Sequence, residues 1–287
     1  MTTELLSLRE TVEQHGLMAK KALGQNFLLD QNITDKIIRS SLTSRGVADF
    51  SGEDVYEIGP GPGGLTRAVL KANPHKLTVI EMDERCIEIM RELQNFYSGI
   101  LDIVNGDAMK FDFGQKTVCP KSVVSNLPYH ISVPLLIGLL KKMAEFKSLT
   151  LMFQKEVAER ILAEPNCKNY GRISVLAQLI CKVKLLFNLN PNCFVPAPKI
   201  WSSVLLFTPQ ENLPTSEEIF CLEKITEAAF GQRRKMIRQS LKNLPDLENA
   251  CKEAGIALTD RAENILPEQY LLLARYIIQK NSILSKC

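Results

Sequence analysis

The chain has 287 residues, 45% of them hydrophobic, with a formal net charge of +3 and a pI near 8.3. That length suggests roughly two domains with a sizeable core, and so small a net charge means that any nucleic-acid footprint must come from local clustering of cations. No apolar run is long enough to span a bilayer, the longest being Val133 to Leu140, so a membrane partner is not expected. No secretory pattern opens the chain, and Glu4, Glu10 and Glu13 argue against an organellar transit peptide. The eight cysteines are scattered, with no Cys-x-x-Cys pair and no histidine cluster nearby. They read as reduced, mostly packed thiols of a cytoplasmic protein, with neither a zinc site nor a redox dithiol.

Met1 to Ala19 is polar and mixed, an extended or weakly helical arm. Lys20 to Asp30 follows, two cations leading into amide side chains and an apolar anchor, and Asp30 or Asn32 caps a helix through Ile33, Ile37 and Ile38.

Val55 to Thr66 then reads as a buried strand, a tight glycine loop and a helix start. Gly59, Gly61 and Gly64 have the spacing of a nucleotide-binding turn, a weak signal when taken alone. Two details narrow the ligand. Glu57, two residues before the first glycine, adds negative charge at the mouth of the site, which repels a pyrophosphate and holds a cation. Pro60 and Pro62 remove amide donors that would otherwise cradle phosphate. S-adenosylmethionine (SAM), with an ammonium, a sulfonium and no phosphate, suits such a loop. The other reading is a plain turn with a solvated strand-end charge.

The next strand, Lys76 to Glu81, ends on a carboxylate 81 − 59 = 22 positions past the first glycine, where a ribose-binding acid is expected. Glu81 is the candidate and Asp83 its near competitor. A helix from Arg85 to Phe96 precedes a strand that begins at Leu101 and runs into a polar turn. There Asp107 is either an acceptor for the adenine amine of the cofactor or a turn aspartate.

The strand Ser122 to Ser125 runs into Asn126-Leu127-Pro128-Tyr129. An exocyclic adenine amine is a poor nucleophile because its lone pair is conjugated into the ring, and accepting hydrogen bonds from its N–H groups localises that pair. The Asn126 amide oxygen accepts one and the Leu127 carbonyl another, with Pro128 holding Leu127 extended. Tyr129 offers a face on which a flipped base stacks. Farther on come a helix from Val133 to Met143, a strand from Leu149 to Phe153, a helix from Lys155 to Leu162, an irregular loop from Asn166 to Arg172, a helix from Ser174 to Cys181 and a strand from Val183 to Leu189. Phe194, in the proline-braced loop from Cys193 to Lys199, is either a second wall for the base, opposite Tyr129, or a core residue.

After the last strand, Trp201 to Phe207, the segment Thr208 to Pro214 has linker composition. Helices are expected over Ser216 to Phe230, Arg234 to Asn243, Asp246 to Ala254 and Pro267 to Gln279. Arg234, Arg238 and Lys242 then fall on one helical stripe, with Arg233 and Lys235 beside it and no acid from Arg233 to Lys242, a pattern suited to RNA phosphates.

With these segments in hand, the chain resembles the small-subunit ribosomal RNA adenine dimethyltransferases, the kasugamycin-sensitivity family. The resemblance rests on LGQNFL, EIGPGPGGLT, VIEMD, NGDA, NLPY, QKEVAERI, YGRISV, FVPAPKIWSSV, FGQRRKMIRQSL and RAENILPEQY, which cover nearly the whole chain in order. It implies an α/β fold: a Rossmann-like SAM-dependent methyltransferase sheet over 1–208, mainly parallel with an antiparallel last strand, then a helical RNA-binding domain over 214–287. It implies SAM held by Asn26, Leu28, Gly59, Glu81, Asp107 and Asn126, without a metal, and the target base between Tyr129 and Phe194. The family dimethylates two adjacent adenines near the 3′ end of small-subunit RNA and acts on the immature small ribosomal subunit. A monomer is expected. His130 departs from the asparagine that many members carry there. The rivals are a DNA adenine methyltransferase with the same Asn-x-Pro-Tyr chemistry, an RNA-binding paralogue without activity, and, weakest, a dehydrogenase.

Overall fold

The computed structural model describes residues 5–17 and 25–284, so most of the lysine-rich approach to Asn26 lies outside the described residues. The elements begin with α1 (Leu8–Gln14), β1 (Phe27–Leu28), α2 (Gln31–Arg45), β2 (Asp54–Ile58), α3 (Gly64–Lys71), β3 (Lys76–Glu81) and α4 (Glu84–Phe96). They continue with β4 (Leu101–Asn105), β5 (Lys121–Asn126), α5 (Ser132–Lys141), β6 (Phe146–Gln154), α6 (Lys155–Leu162), α7 (Arg172–Ile180), β7 (Cys181–Leu189), β8 (Phe194–Val195) and β9 (Ser202–Pro209). The last four are α8 (Ser216–Gly231), α9 (Ile237–Ser240), α10 (Leu247–Glu253) and α11 (Pro267–Leu284). Among the described residues no helix is long and apolar enough to cross a membrane.

Seven strands form one sheet in the order β4-β3-β2-β5-β6-β9-β7. From β4 to β6 every pairing is parallel, and β9 runs antiparallel to β6. Its central strands are buried on both faces, as parallel sheets require: all five residues of β2 are buried. On one face Val55, Leu77, Val79 and Val124 join Ile37, Ile38, Leu42, Val69, Met90 and Leu93 from α2, α3 and α4. Tyr56, which alternates with Val55, packs instead with Phe111 and Phe113 at 5.9 Å between ring centroids. Asp30 caps α2, its carboxylate accepting from the Asn32 amide at 2.9 Å, and Gly46 ends that helix in the left-handed region at φ 72°.

Contacts divide the chain into two compact units, 1–158 with 184–208, and 159–183 with 209–287. The second unit therefore takes in 159–183, ahead of the boundary expected at 208. Its centre is aromatic. Tyr170, Phe230 and Tyr270 pack in series at 5.9 and 6.0 Å between ring centroids, the first pair edge-to-face and the second tilted, and both buried hydroxyls are satisfied, Tyr170 donating to the Ile265 carbonyl and Tyr270 to that of Ala262.

The helix expected from Arg234 to Asn243 does not form. Met236 makes an antiparallel bridge to Arg261, while the amides of Ile237 and Arg238 donate to the carbonyls of Asp260 and Leu258. Those donors would have opened the longer helix, so only the short α9 remains. Arg234 sits in the turn before it and Lys242 after it, and the continuous basic stripe is lost.

Candidate active site

A cavity of about 330 Å³ opens at the C-terminal ends of β2, β3, β4 and β5, the edge where open α/β sheets take ligands. Ten of the expected site residues line it: Asn26, Leu28, Glu57, Gly59, Gly61, Glu81, Asp107, Asn126, Leu127 and Tyr129.

The glycine loop shapes the floor. Gly59 and Gly61 lie at φ +65° and +55°, where a side chain is strained. Gly64 is needed for a different reason: a Cβ there would stand 2.6 Å from the Leu28 carbonyl. The Asn26 to Leu28 segment is thus pressed onto the loop. Pro128 approaches from the far side, its Cδ 3.9 Å from where a Gly59 Cβ would be.

Glu57 is 1% exposed, and its Oε2 has no hydrogen-bond partner. Burial pushes its pKa up to about 8; a Thr66 hydrogen bond opposes the shift and the Glu81 charge adds to it. Glu81 is also raised, chiefly by burial. Its Oε1 accepts from the Met82 and Asp83 amides at 2.8 and 2.9 Å and its Oε2 from the Gly61 amide at 3.4 Å, which ties the strand tip to the glycine loop.

Asp83, the competitor for the ribose role, does not line the cavity. It caps α4, accepts from Gln25 at 3.0 Å, and is held down to about 2 by its hydrogen bond with Arg85. Asp107 lines the cavity and is also a turn aspartate, its Oδ1 accepting from the Met109 amide at 2.9 Å. Asn126 donates from Nδ2 to the Asn26 carbonyl at 3.0 Å. The Tyr129 and Ser202 hydroxyls share a hydrogen bond of 2.8 Å.

Phe194 is placed differently from the second-wall expectation. It is 2% exposed, packs in the main core, and pairs with Leu28 in the short ribbon of β1 and β8, outside the cavity lining. Its burial favours the core alternative. The exposed aromatic nearby in the chain is Trp201, 46% exposed and immediately before β9 and its Ser202. Met82 and Met109, at 61% and 46% exposure, also line the cavity. Neither stands out in the sequence, although each lies one or two residues beyond a strand-tip acid. His130, exposed, lines the cavity as well.

Of the basic residues, Arg233 is engaged by Glu263 at 2.7 Å and donates to the Cys167 carbonyl at 3.2 Å. Arg234, Lys235, Arg238 and Lys242 are exposed.

A parallel sheet with an antiparallel β9, acids at the tips of β2 and β3, and Asn-Leu-Pro-Tyr after β5 defines a Rossmann-like methyltransferase domain. The profile of the family described as Ribosomal RNA adenine dimethylase matches residues 16–279. Among curated relatives, proteins named Ribosomal RNA small subunit methyltransferase A from Rhodospirillum rubrum and Xanthobacter autotrophicus are 44% and 46% identical, over 96% and 97% of this chain and 94% and 96% of their own. A solved dimethyladenosine transferase from Plasmodium falciparum superposes with a TM-score of 0.71 at 27% identity, covering 88% of this chain and 97% of that one. The structure of the 23S rRNA methyltransferase ErmE shares the fold, with a TM-score of 0.63 at 23% identity over 88% of this chain and 100% of its own. The chain belongs to the ribosomal RNA adenine dimethylase family.

Proposed function

We propose that the protein is a SAM-dependent methyltransferase that dimethylates the exocyclic amines of two adjacent adenines in a hairpin near the 3′ end of small-subunit (16S) ribosomal RNA, acting on the immature small subunit. One observation carries the cofactor reading: the buried, unpartnered Glu57 carboxylate oxygen beside the cavity. An uncompensated buried acid calls for a cationic partner, and a pyrophosphate would only add negative charge. The residues present therefore fit SAM. When bound, it supplies a methyl group made electrophilic by the sulfonium.

The chain does the rest by holding and aiming. Glu57 attracts the ammonium, and Glu81 accepts the ribose hydroxyls. Asp107 takes the adenine amine of the cofactor, with Met82 and Met109 as soft apolar walls. Asn126 Oδ1 and the Leu127 carbonyl would accept the N–H groups of the target amine, localising its lone pair on the side that faces the methyl donor. Tyr129, steadied by Ser202, stacks on the base, and the exposed Trp201 lies on the approach. Arg234 and Lys235 from the turn before α9, Arg238 from α9 and Lys242 from the turn after it contact phosphate. A monomer in the cytoplasm is the setting we infer; the seven described cysteines are all free thiols, in keeping with a reducing compartment. The family and the names of its members support the RNA substrate.

Incubating the protein and SAM with unmodified small subunits, then mapping modified adenines by primer-extension stops, tests the proposal. Two adjacent stops near the 3′ end are expected. Methyl transfer to DNA with none to small subunits would replace it by the DNA reading.

A further inference from the structure

At the sheet edge opposite the cavity, parallel register gathers three ligand-type side chains that lie far apart in sequence. Asp54 opens β2 and pairs with Lys76 of β3 on one side and Lys121 of β5 on the other. His75, one residue before Lys76, and Cys119, two residues before Lys121, are thereby brought to the two flanks of Asp54. The Asp54 carboxylate accepts from His75 Nδ1 at 2.7 Å and from the Cys119 amide at 3.3 Å. One oxygen of Asp54, one ring nitrogen of His75 and Sγ of Cys119 lie within 4.8 Å of one another.

Two main-chain bonds and one from a side-chain hydroxyl hold the three segments in place. The His75 amide donates to the Glu53 carbonyl at 3.0 Å, the Asp54 amide to the Pro120 carbonyl at 2.9 Å, and Thr117 Oγ1 to the Cys119 carbonyl at 2.7 Å. Asp54 is buried, Cys119 partly buried and His75 exposed, so the two outer ligands can adjust onto a fixed inner one.

Carboxylate, imidazole and thiolate together form a zinc donor set. With metal–ligand bonds of roughly 2.0–2.3 Å, the edges of a tetrahedron are about 3.3–3.8 Å. The Asp54–His75 pair, at 2.7 Å, would open slightly and a separation of up to 4.8 Å would close by about 1–1.5 Å, adjustments within reach of side-chain rotation. Two anionic ligands also balance a divalent ion, leaving no net charge at a half-buried position.

We propose that Asp54, His75 and Cys119 form a zinc-binding site, with water as the fourth ligand, that fastens the N-terminal ends of β2, β3 and β5. On binding, the Cys119 S–H bond breaks, its proton passes to solvent and a sulfur–zinc bond forms. The Asp54–His75 hydrogen bond gives way to metal bonds, with the imidazole bound in its neutral form. None of the three residues lines the cavity, so the site staples the sheet and takes no part in methyl transfer. The cysteine and histidine spacings expected of a zinc motif are absent because the gathering is done by the sheet.

Cobalt substitution tests the proposal on the full chain, stripped with a chelator and titrated with Co2+. A thiolate-to-cobalt charge-transfer band that saturates at one equivalent, is bleached by Zn2+ and persists in Cys167→Ser is expected. Cys119→Ser should abolish the band, and His75→Ala should lower Co2+ affinity at least tenfold. Calorimetric SAM binding at the opposite edge should stay unchanged in both, which establishes that they are folded. Zn2+ should raise the melting temperature of the parent chain and not that of Cys119→Ser. A parent chain with no band, or a band undiminished in Cys119→Ser, overturns the site.

Discussion

Asn126 and Asn26, a hundred positions apart, are joined by a single hydrogen bond of 3.0 Å from the Asn126 side-chain amide to the Asn26 carbonyl. A carbonyl only accepts, so the amide nitrogen must face it, and Oδ1 is thereby turned to the other side. The bond orients the acceptor proposed for the target amine. Asn126→Ala should lower kcat by about 10²–10³-fold, the range for losing one aimed polar group in a transition state. RNA affinity should be largely unchanged. Single-turnover methyl transfer with a parallel RNA-binding titration checks this, and a near-normal rate would remove Asn126 from the chemistry.

The raised pKa of Glu57 gives SAM binding a pH dependence of definite sign. With a folded value of about 8 against an ordinary 4.5, the carboxyl is protonated in the free protein at neutral pH. Its contribution to stability is fully present below the unfolded value and is lost as pH rises through about 8. A cation beside it favours the ionised form, so binding below about pH 8 expels the proton. SAM affinity should therefore climb by up to about tenfold per pH unit from about pH 6 to about pH 8 and then level off. Calorimetry in buffers of different ionisation enthalpy measures the released proton directly. Glu57→Gln should abolish both the release and the slope; a proton count of zero in the parent chain would contradict the assignment.

Glu81 has two roles that can be separated. Its amide contacts to Met82, Asp83 and Gly61 are within the protein, whereas the ribose contacts are with the ligand. Glu81→Ala should weaken SAM binding by about 10–100-fold, since hydrogen bonds to a charged group contribute about 1.5–3 kcal/mol. S-adenosylhomocysteine should lose as much, because the ribose is common to both. Unchanged affinity for the two ligands would confine Glu81 to holding the loop.

Phe194 and Tyr129 should part company on substitution. Phe194→Ala empties a site in the main core and should destabilise the protein by about 3–5 kcal/mol. Tyr129→Ala removes a half-buried ring at the cavity and should act mainly on RNA binding and turnover. Urea unfolding of the two variants distinguishes them. Because Trp201 is the chain's one tryptophan, its fluorescence should also change when hairpin RNA binds.

Neutralising Arg234, Arg238 and Lys242 together should reduce the dependence of log affinity on log salt by about 2, at about 0.7–0.9 for each phosphate no longer neutralised. Arg233, already paired with Glu263, should add little. A salt slope unaltered by the triple change would make the three ordinary surface charges.

The polar groups at strand tips were legible because a strand's end and the turn after it are local events, marked by Glu57 before Gly59 and by Asn126 before Pro128. Where long-range pairing decides, local pattern failed. Residues 234–243 have helical composition, yet residues 258–261 capture their first amides. For Phe194 the sequence leaves a wall for the base and a core residue equally open, and the pairing of β8 with β1 accompanies its burial in the core. Asp54, His75 and Cys119 carry no spacing signal at all, since only the register of three parallel strands unites them.

The most direct measurement is a crystal structure of the protein with S-adenosylhomocysteine bound. The ligand is expected in the 330 Å³ cavity, with its ammonium toward Glu57, its ribose on Glu81, its adenine beside Asp107, and its sulfur facing Asn126. Density for the ligand away from Glu57 and Asn126 would contradict the electrostatic reading of the site.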